Sequence, residues 1–229
     1  MKTLIFLNGD YKQNSKALYK FLAKNSSLII AANGGFAKAK SFKIKVHEVI
    51  GDLDSLSCLP QKEVLIHRFP KNKDKTDGEL ALNLARKRKS SLVYVVGAFG
   101  GRFDQTITNF FLASKYARYF SIIIPFGTEL IIFPNKKDFT LNNVKGTTIS
   151  IIPITKIVEK ISSHGLKWTL RMDNIFRESS RCISNIAEKS RVNINFRRGK
   201  LCVSILFPSE DKLLRFLRTL TFPYILGSC

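Results

Sequence analysis

In the stretch GDLDS (residues 51–55), two aspartates stand one residue apart, directly after the apolar run VHEVI. Extended backbone puts side chains two apart on the same side, so Asp52 and Asp54 are spaced to share one divalent cation, with Ser55 beside them. A turn rich in Asp and Ser fits the same letters. Downstream, DKTDGELAL (74–82) contains the start of a helix: Thr76 as N-cap, Glu79 three residues on, and Asp77 in the first turn, where the helix dipole favours an acid. Capping accounts for this pattern; so does a role for Asp77 as the third carboxylate of the GDLDS set. GAFGGRFDQ (97–105) supplies Gly97, Gly100, Gly101, Arg102 and Asp104 between an apolar run and a helical pattern. It is neither GxGxxG nor the GxxxxGK[ST] loop. Glycines that bare backbone N–H groups, with a guanidinium beside them, suit a phosphate cradle, and a plain strand-to-helix turn has the same punctuation. Gly34 and Gly35, in NGG (33–35), form a further glycine turn of this kind.

These stretches acquire meaning from the elements that carry them. TLIFL (3–7), SLIIAA (27–32), VHEVI (46–50), VLIHRF (64–69), SLVYVV (91–96) and SIIIPF (121–126) read as strands. Helical patterns intervene: NSKALYKFLAKN, a short piece after NGG, one from Thr76 and one from about Asp104. Alternation of this kind predicts a mainly parallel sheet with helices on both faces, whose ligands bind beyond the carboxyl ends of the strands. Each chemistry-bearing stretch falls at such an end. From about residue 129 the pattern becomes all-β. TTISIIPI, GLKWTL and the alternating runs RVNINF and KLCVSILF, joined by a turn at RRGK, predict an antiparallel sandwich. The division expected is an α/β domain over 1–133 and a β-sandwich over 134–229. The run DKLLRFLRTL predicts a helix packed on its own protein.

Composition narrows the function classes less than position does. The 229 residues include 45% apolar and 24% charged ones, which is ordinary for a globular chain, and the formal net charge is +21. Such an excess attracts polyanions, but it is spread along the chain and comes with no nucleic-acid-binding signature, so no specific nucleic acid partner is expected. No apolar run is long enough to span a bilayer, and MKTLIFLNGDYK reads as a first strand rather than a signal peptide. Scattered Cys58, Cys182, Cys202 and Cys229 support neither zinc nor a disulfide framework, which points to a cytoplasmic protein. His47, His67 and His164 lack metal or triad partners in sequence and are expected in structural roles.

Taken in order, NGGFAKA, GDLDS, DKTDGELAL, GAFGGRFDQ, SHGLKWTL and ISN resemble the motifs of the thiamin pyrophosphokinase family along nearly the whole chain. The resemblance implies transfer of a pyrophosphoryl group from ATP to the thiamin hydroxyl, with Mg²⁺, in a homodimer whose thiamin lies between one subunit's α/β domain and its partner's sandwich. It implies Asp52, Asp54 and Asp77 as metal and phosphate-organising carboxylates, and Arg102 and Asp104 at the nucleotide phosphates and transferring group. Asp77 or Asp104 would accept the hydroxyl proton. Trp168, Ser184 and Asn185 would serve thiamin. Many members carry Asp where this chain has Asn33, and His where it has Gln105; the first change removes a negative charge near the site. Two rival readings are a pyrophosphokinase acting on another hydroxyalkyl heterocycle, such as a pterin, and a non-catalytic basic protein that binds nucleic acid.

Overall fold

The computed structural model describes residues 1–12, 15–53 and 63–220. Asp54, Ser55, Cys58 and Cys229 lie outside the described residues. The chain divides into two compact units, Met1–Gly127 and Thr128–Cys229. The strand at Glu129–Phe133, counted with the first domain by a division at 133/134, therefore belongs to the second unit.

The first unit is built on six parallel strands: β1 (Lys2–Phe6), β2 (Leu28–Ala32), β3 (Glu48–Gly51), β4 (Leu65–Arg68), β5 (Leu92–Val96) and β6 (Ser121–Phe126). Their order is β6-β5-β1-β2-β3-β4. β1, β2 and β5 are buried along nearly their whole length, which is why they read as unbroken apolar runs instead of alternating ones. The helices are α1 (Lys16–Lys24), α2 (Gly35–Ser41), α3 (Asp77–Lys87) and α4 (Phe103–Tyr116). α1 turns Leu18, Tyr19 and Leu22 inward, and α3 buries Leu80, Ala81, Leu82, Leu84 and Ala85. After β1 the chain moves to β2 on one side, whereas after β5 it moves to β6 on the other. That reversal makes the β1/β5 boundary the switch point of the sheet, where a doubly wound fold opens its ligand crevice.

The second unit holds an antiparallel run of four strands, in the order β12-β9-β14-β7, and a separate antiparallel four-stranded sheet, in the order β11-β10-β13-β8. The first comprises β7 (Glu129–Phe133), β9 (Thr148–Pro153), β12 (Asn185–Ile186) and β14 (Leu201–Leu206). The second comprises β8 (Asp138–Asn142), β10 (Ile157–His164), β11 (Asp173–Phe176) and β13 (Arg191–Asn195). Alternate residues of β8, β9 and β13 are buried (Phe139 and Leu141, Ile149 and Ile151, Val192 and Ile194), the signature of sheets covered on one face. α5 (Glu210–Thr219) closes the core with Leu213, Phe216 and Leu217; Phe216 lies 5.2 Å from Phe207, ring centre to centre.

Two expectations for this unit need correction. RVNINF and KLCVSILF are strands, but not partners: β13 pairs with β8 and β10, while β14 pairs with β7 and β9. Period-2 alternation identifies a strand and its buried face, not its neighbour. GLKWTL forms no strand. Apart from a single bridge between Leu166 and Ala187 it is a loop: the Trp168 N–H and carbonyl and the Leu170 N–H bond to the side chains of Asn185 and Ser163, which interrupts any ladder.

Candidate active site

Beyond the carboxyl ends of β1, β2 and β5, in the first unit, lies a cavity of about 660 Å³. Its floor is fixed by backbone pairing that continues past the two central strands. Leu7, Gly9 and Asp10 donate their N–H groups to the carbonyls of Val96, Gly97 and Phe99, each at 2.9 Å. A Cβ on Gly97 (φ +69°) would lie 2.5 Å from Tyr11 Oη, and one on Gly100 (φ +85°) 2.3 Å from Asp10 Oδ2. Only glycine satisfies both the left-handed backbone and the space left at these positions. Asp10 then accepts from Gly101 N–H at 3.1 Å, which clasps the loop that presents Arg102. Gly34 and Gly35 do not line this cavity. Their Cβ atoms would collide with the Asn8 side chain and the Phe6 carbonyl, so they serve the close approach of α2 to the end of β1.

Asp77 lines the cavity, and Asp52, which stands outside its lining, shares a lysine with it. Lys73 Nζ lies 2.9 Å from Asp77 Oδ1 and 4.0 Å from Asp52 Oδ2, and the three side chains are only 13%, 22% and 17% exposed. Asp77 Oδ1 is buried and accepts no hydrogen bond, the lysine approaching it out of line. Asn33 donates from Nδ2 to Asp52 Oδ1 at 2.9 Å, a contact that an aspartate at this position could not make as a carboxylate. Thr76 caps α3 as expected, its hydroxyl accepting from Glu79 N–H at 3.2 Å. The Glu79 carboxylate instead reaches α4, accepting from Lys115 at 2.8 Å and Tyr116 Oη at 3.4 Å. Half of the capping box is therefore present, and the other half joins two helices. Among the described residues, no three acidic, imidazole or thiolate groups converge on one metal position.

Arg102 lines the cavity while Asp104 does not, although the two form a bidentate pair: Nε to Oδ1 at 3.0 Å and Nη2 to Oδ2 at 2.5 Å. That guanidinium holds the exposed Asp104 carboxyl below the usual carboxylate range. The three histidines make local contacts. His47 accepts from Ile29 N–H at 2.9 Å, His67 lies 2.6 Å from Glu48, and His164 lies 3.3 Å from Lys189.

The second unit has its own cleft, also about 660 Å³, lined by Trp168, Asn185, Arg171 and Arg181. Trp168 is exposed. Asn185 is buried and bonded through both ends of its amide: it accepts from Trp168 N–H at 3.1 Å and Ile186 N–H at 2.8 Å, and donates to the Trp168 carbonyl at 2.7 Å. It therefore sets the Trp168 backbone. Ser184, in a left-handed conformation (φ 58°), is exposed next to the cleft; its N–H bonds Ser150 Oγ at 3.0 Å.

Sequence reasoning gave no individual role to Lys71, Lys73, Lys75 or Asn109, which line the first cavity; Asn8 and Asp10, which the sequence already sets at the end of the first strand, line it too. The lysines had a compositional signal, three in the five residues KNKDK, although the segment runs through bends and not an extended strand. Asn109, one helical turn beyond Gln105, donates to the Ala98 carbonyl at 2.8 Å and had none.

Comparison with known proteins gives a consistent result. The family model described as thiamin pyrophosphokinase, catalytic domain, matches residues 19–124, and that described as thiamin pyrophosphokinase, vitamin B1 binding domain, matches 132–201. Thiamine pyrophosphokinase of Bacillus subtilis is 27% identical over 218 residues, spanning 92% of this chain and all of the relative. Its crystal structure superposes with a TM-score of 0.75 at 23% identity, covering 91% of this chain and 100% of that one. Yeast thiamin pyrophosphokinase superposes with a TM-score of 0.74 at 20% identity, covering 94% and 88%. These solved structures share the fold described above.

Proposed function

The chain belongs to the thiamin pyrophosphokinase family, and we propose that it moves the terminal pyrophosphoryl group of ATP onto the hydroxyethyl oxygen of thiamin, giving thiamin diphosphate and AMP. One observation carries this reading. The Asp52–Asp77 pair falls inside the segment matched by the catalytic family model, and the Trp168–Asn185 cleft inside the segment matched by the vitamin B1 binding model.

In the proposed reaction the thiamin oxygen forms a bond to the β-phosphorus, and the bond from that phosphorus to the α,β-bridging oxygen breaks. AMP leaves with that oxygen, and the hydroxyl proton passes to a carboxylate. Asp77 is the better candidate acceptor because it lines the cavity, whereas Asp104 does not and is held by Arg102. Catalysis of this class is alignment plus charge stabilisation. Lys71, Lys75 and Arg102 are suited to the phosphate oxygens, and the Gly100–Gly101 turn brings backbone close to them.

Mg²⁺ fits the residues present. Asp52 and Asp77 offer hard oxygens, and one of these is buried without a hydrogen bond. These two residues would hold the ion, with Asp54 as the third ligand the sequence suggests; when bound, it supplies neutralisation of triphosphate charge. The active assembly proposed is a homodimer.

The test is direct. Protein incubated with ATP, Mg²⁺ and thiamin should yield AMP and thiamin diphosphate in equal amounts, separable by chromatography, and no AMP without thiamin. Asp77→Asn should lower turnover at least about 100-fold with the fold retained. Folded protein that makes no AMP with thiamin overturns the reading; AMP formed with a hydroxymethylpterin instead would redirect it to that substrate.

A further inference from the structure

Lys73 occupies a position that a pair of carboxylates usually reserves for a metal. Its side chain is 13% exposed, and its ammonium faces Asp77 at 2.9 Å and Asp52 at 4.0 Å. Two acids drawn together and withdrawn from water need a positive charge between them. A divalent cation supplies one and a lysine supplies another, and both cannot take the same seat. The contact with Asp77 also lacks hydrogen-bond alignment, so charge alone holds it. A lysine head on a four-carbon stem can leave such a contact by rotating about its side-chain bonds. The move is short, because Lys73 itself lines the cavity assigned to the phosphates, beside Lys71 and Lys75.

We propose that Lys73 is a tethered placeholder that neutralises the Asp52–Asp77 pair until a divalent cation takes over, and then turns to the nucleotide phosphates. This rests on the reading of those aspartates as cation ligands in the proposed reaction. It has a consequence that the ligand set alone does not. A cation arriving alone must expel Lys73 without offering it a new partner, whereas a cation arriving with a triphosphate provides one. Cation and nucleotide binding are therefore coupled through this side chain, each strengthening the other.

Mn²⁺ binding to the full chain, followed by the paramagnetic resonance signal of the free ion, tests the proposal with and without α,β-methylene-ATP. Lys73→Met should bind Mn²⁺ alone about tenfold more tightly than the unsubstituted protein, while Lys73→Arg should not. The analogue should strengthen Mn²⁺ binding more in the unsubstituted protein than in Lys73→Met. Should the methionine variant fail to fold, Lys73→Gln serves the same comparison. Unchanged Mn²⁺ affinity in the neutral variants, or an unchanged effect of the analogue, overturns the placeholder role. If the unsubstituted protein still forms AMP, the proposed reaction survives that result. A chain that binds no Mn²⁺ under either condition removes both.

Discussion

Asn185 shows how one side chain can set the backbone of another residue in the same cleft. Its amide makes three hydrogen bonds to backbone, two of them to Trp168, and the residue is buried. An aspartate in its place could still accept from the Trp168 N–H but would set a carboxylate against the Trp168 carbonyl at a distance now spanned by a 2.7 Å donor bond. An alanine would leave buried backbone groups without partners, at a cost of about 2 kcal/mol in stability. The sequence contains a single tryptophan, so intrinsic fluorescence reports this residue alone. Asn185→Ala is expected to shift that emission and to raise KM for thiamin about tenfold, leaving KM for ATP near its original value. Equal changes in both KM values, or an unmoved spectrum, would show that the clasp does not place Trp168 for binding. The resemblance had put Asn185 beside the substrate. Its motif was visible in the letters, but the direction of its amide depends on a loop that only folding supplies.

Among the secondary-structure elements, β3, β4 and α3 are tied by a charged cluster inside the first unit. Glu48, on β3, is buried; it accepts from Arg88 at 2.9 and 3.0 Å and lies 2.6 Å from His67 on β4. Burial by itself pushes the Glu48 carboxyl up, but the hydrogen bonds and charges of Arg88 and His67 together outweigh it and hold it below the ordinary value. A depressed carboxylate contributes stability that is complete above the ordinary glutamate value, about 4.3, and is lost as pH falls through the lower folded value. Arg88→Met should therefore reduce Tm most at pH 7, and the gap from the unsubstituted protein should close as acid protonates Glu48. Thermal melts between pH 3.5 and 7.5 give the answer; a gap that stays constant over that range excludes this origin. The same elements mark what could be read in advance. The buried parallel strands announce themselves as apolar runs, and α3 by its Thr76 cap. By contrast, β7, β8, β10 and β11 were passed over, and the sheet crossing between β13 and β14 was misread. Their alternation is weaker or broken by polar residues, and choosing a partner strand takes long-range contacts that local periodicity does not encode.

At the scale of the whole chain, the charge of +21 and the reaction proposed make a joint demand that can be measured. The two substrates carry opposite charge: the magnesium complex of ATP is an anion, and thiamin is a thiazolium cation. A basic surface draws the first from a distance and disfavours the second, and salt erases both effects once the screening length falls to about 10 Å or less. The lysines and arginine of the first cavity act at contact distance, where screening is weaker. Raising KCl from about 20 to 300 mM should therefore lower kcat/KM for ATP about tenfold, alter kcat little, and leave kcat/KM for thiamin level or raised. Steady-state kinetics with each substrate varied in turn separates these terms. A parallel fall in both ratios would mean that salt acts on the fold or on the assembly, and independence from salt would mean that the surplus charge has no part in capture. Binding of duplex DNA that disappears over the same salt interval, with no competition against ATP, would place the basic surface apart from the catalytic cavity. Competition would place both polyanions on the same lysines, with the Asp52–Asp77 pair deciding which of them reacts.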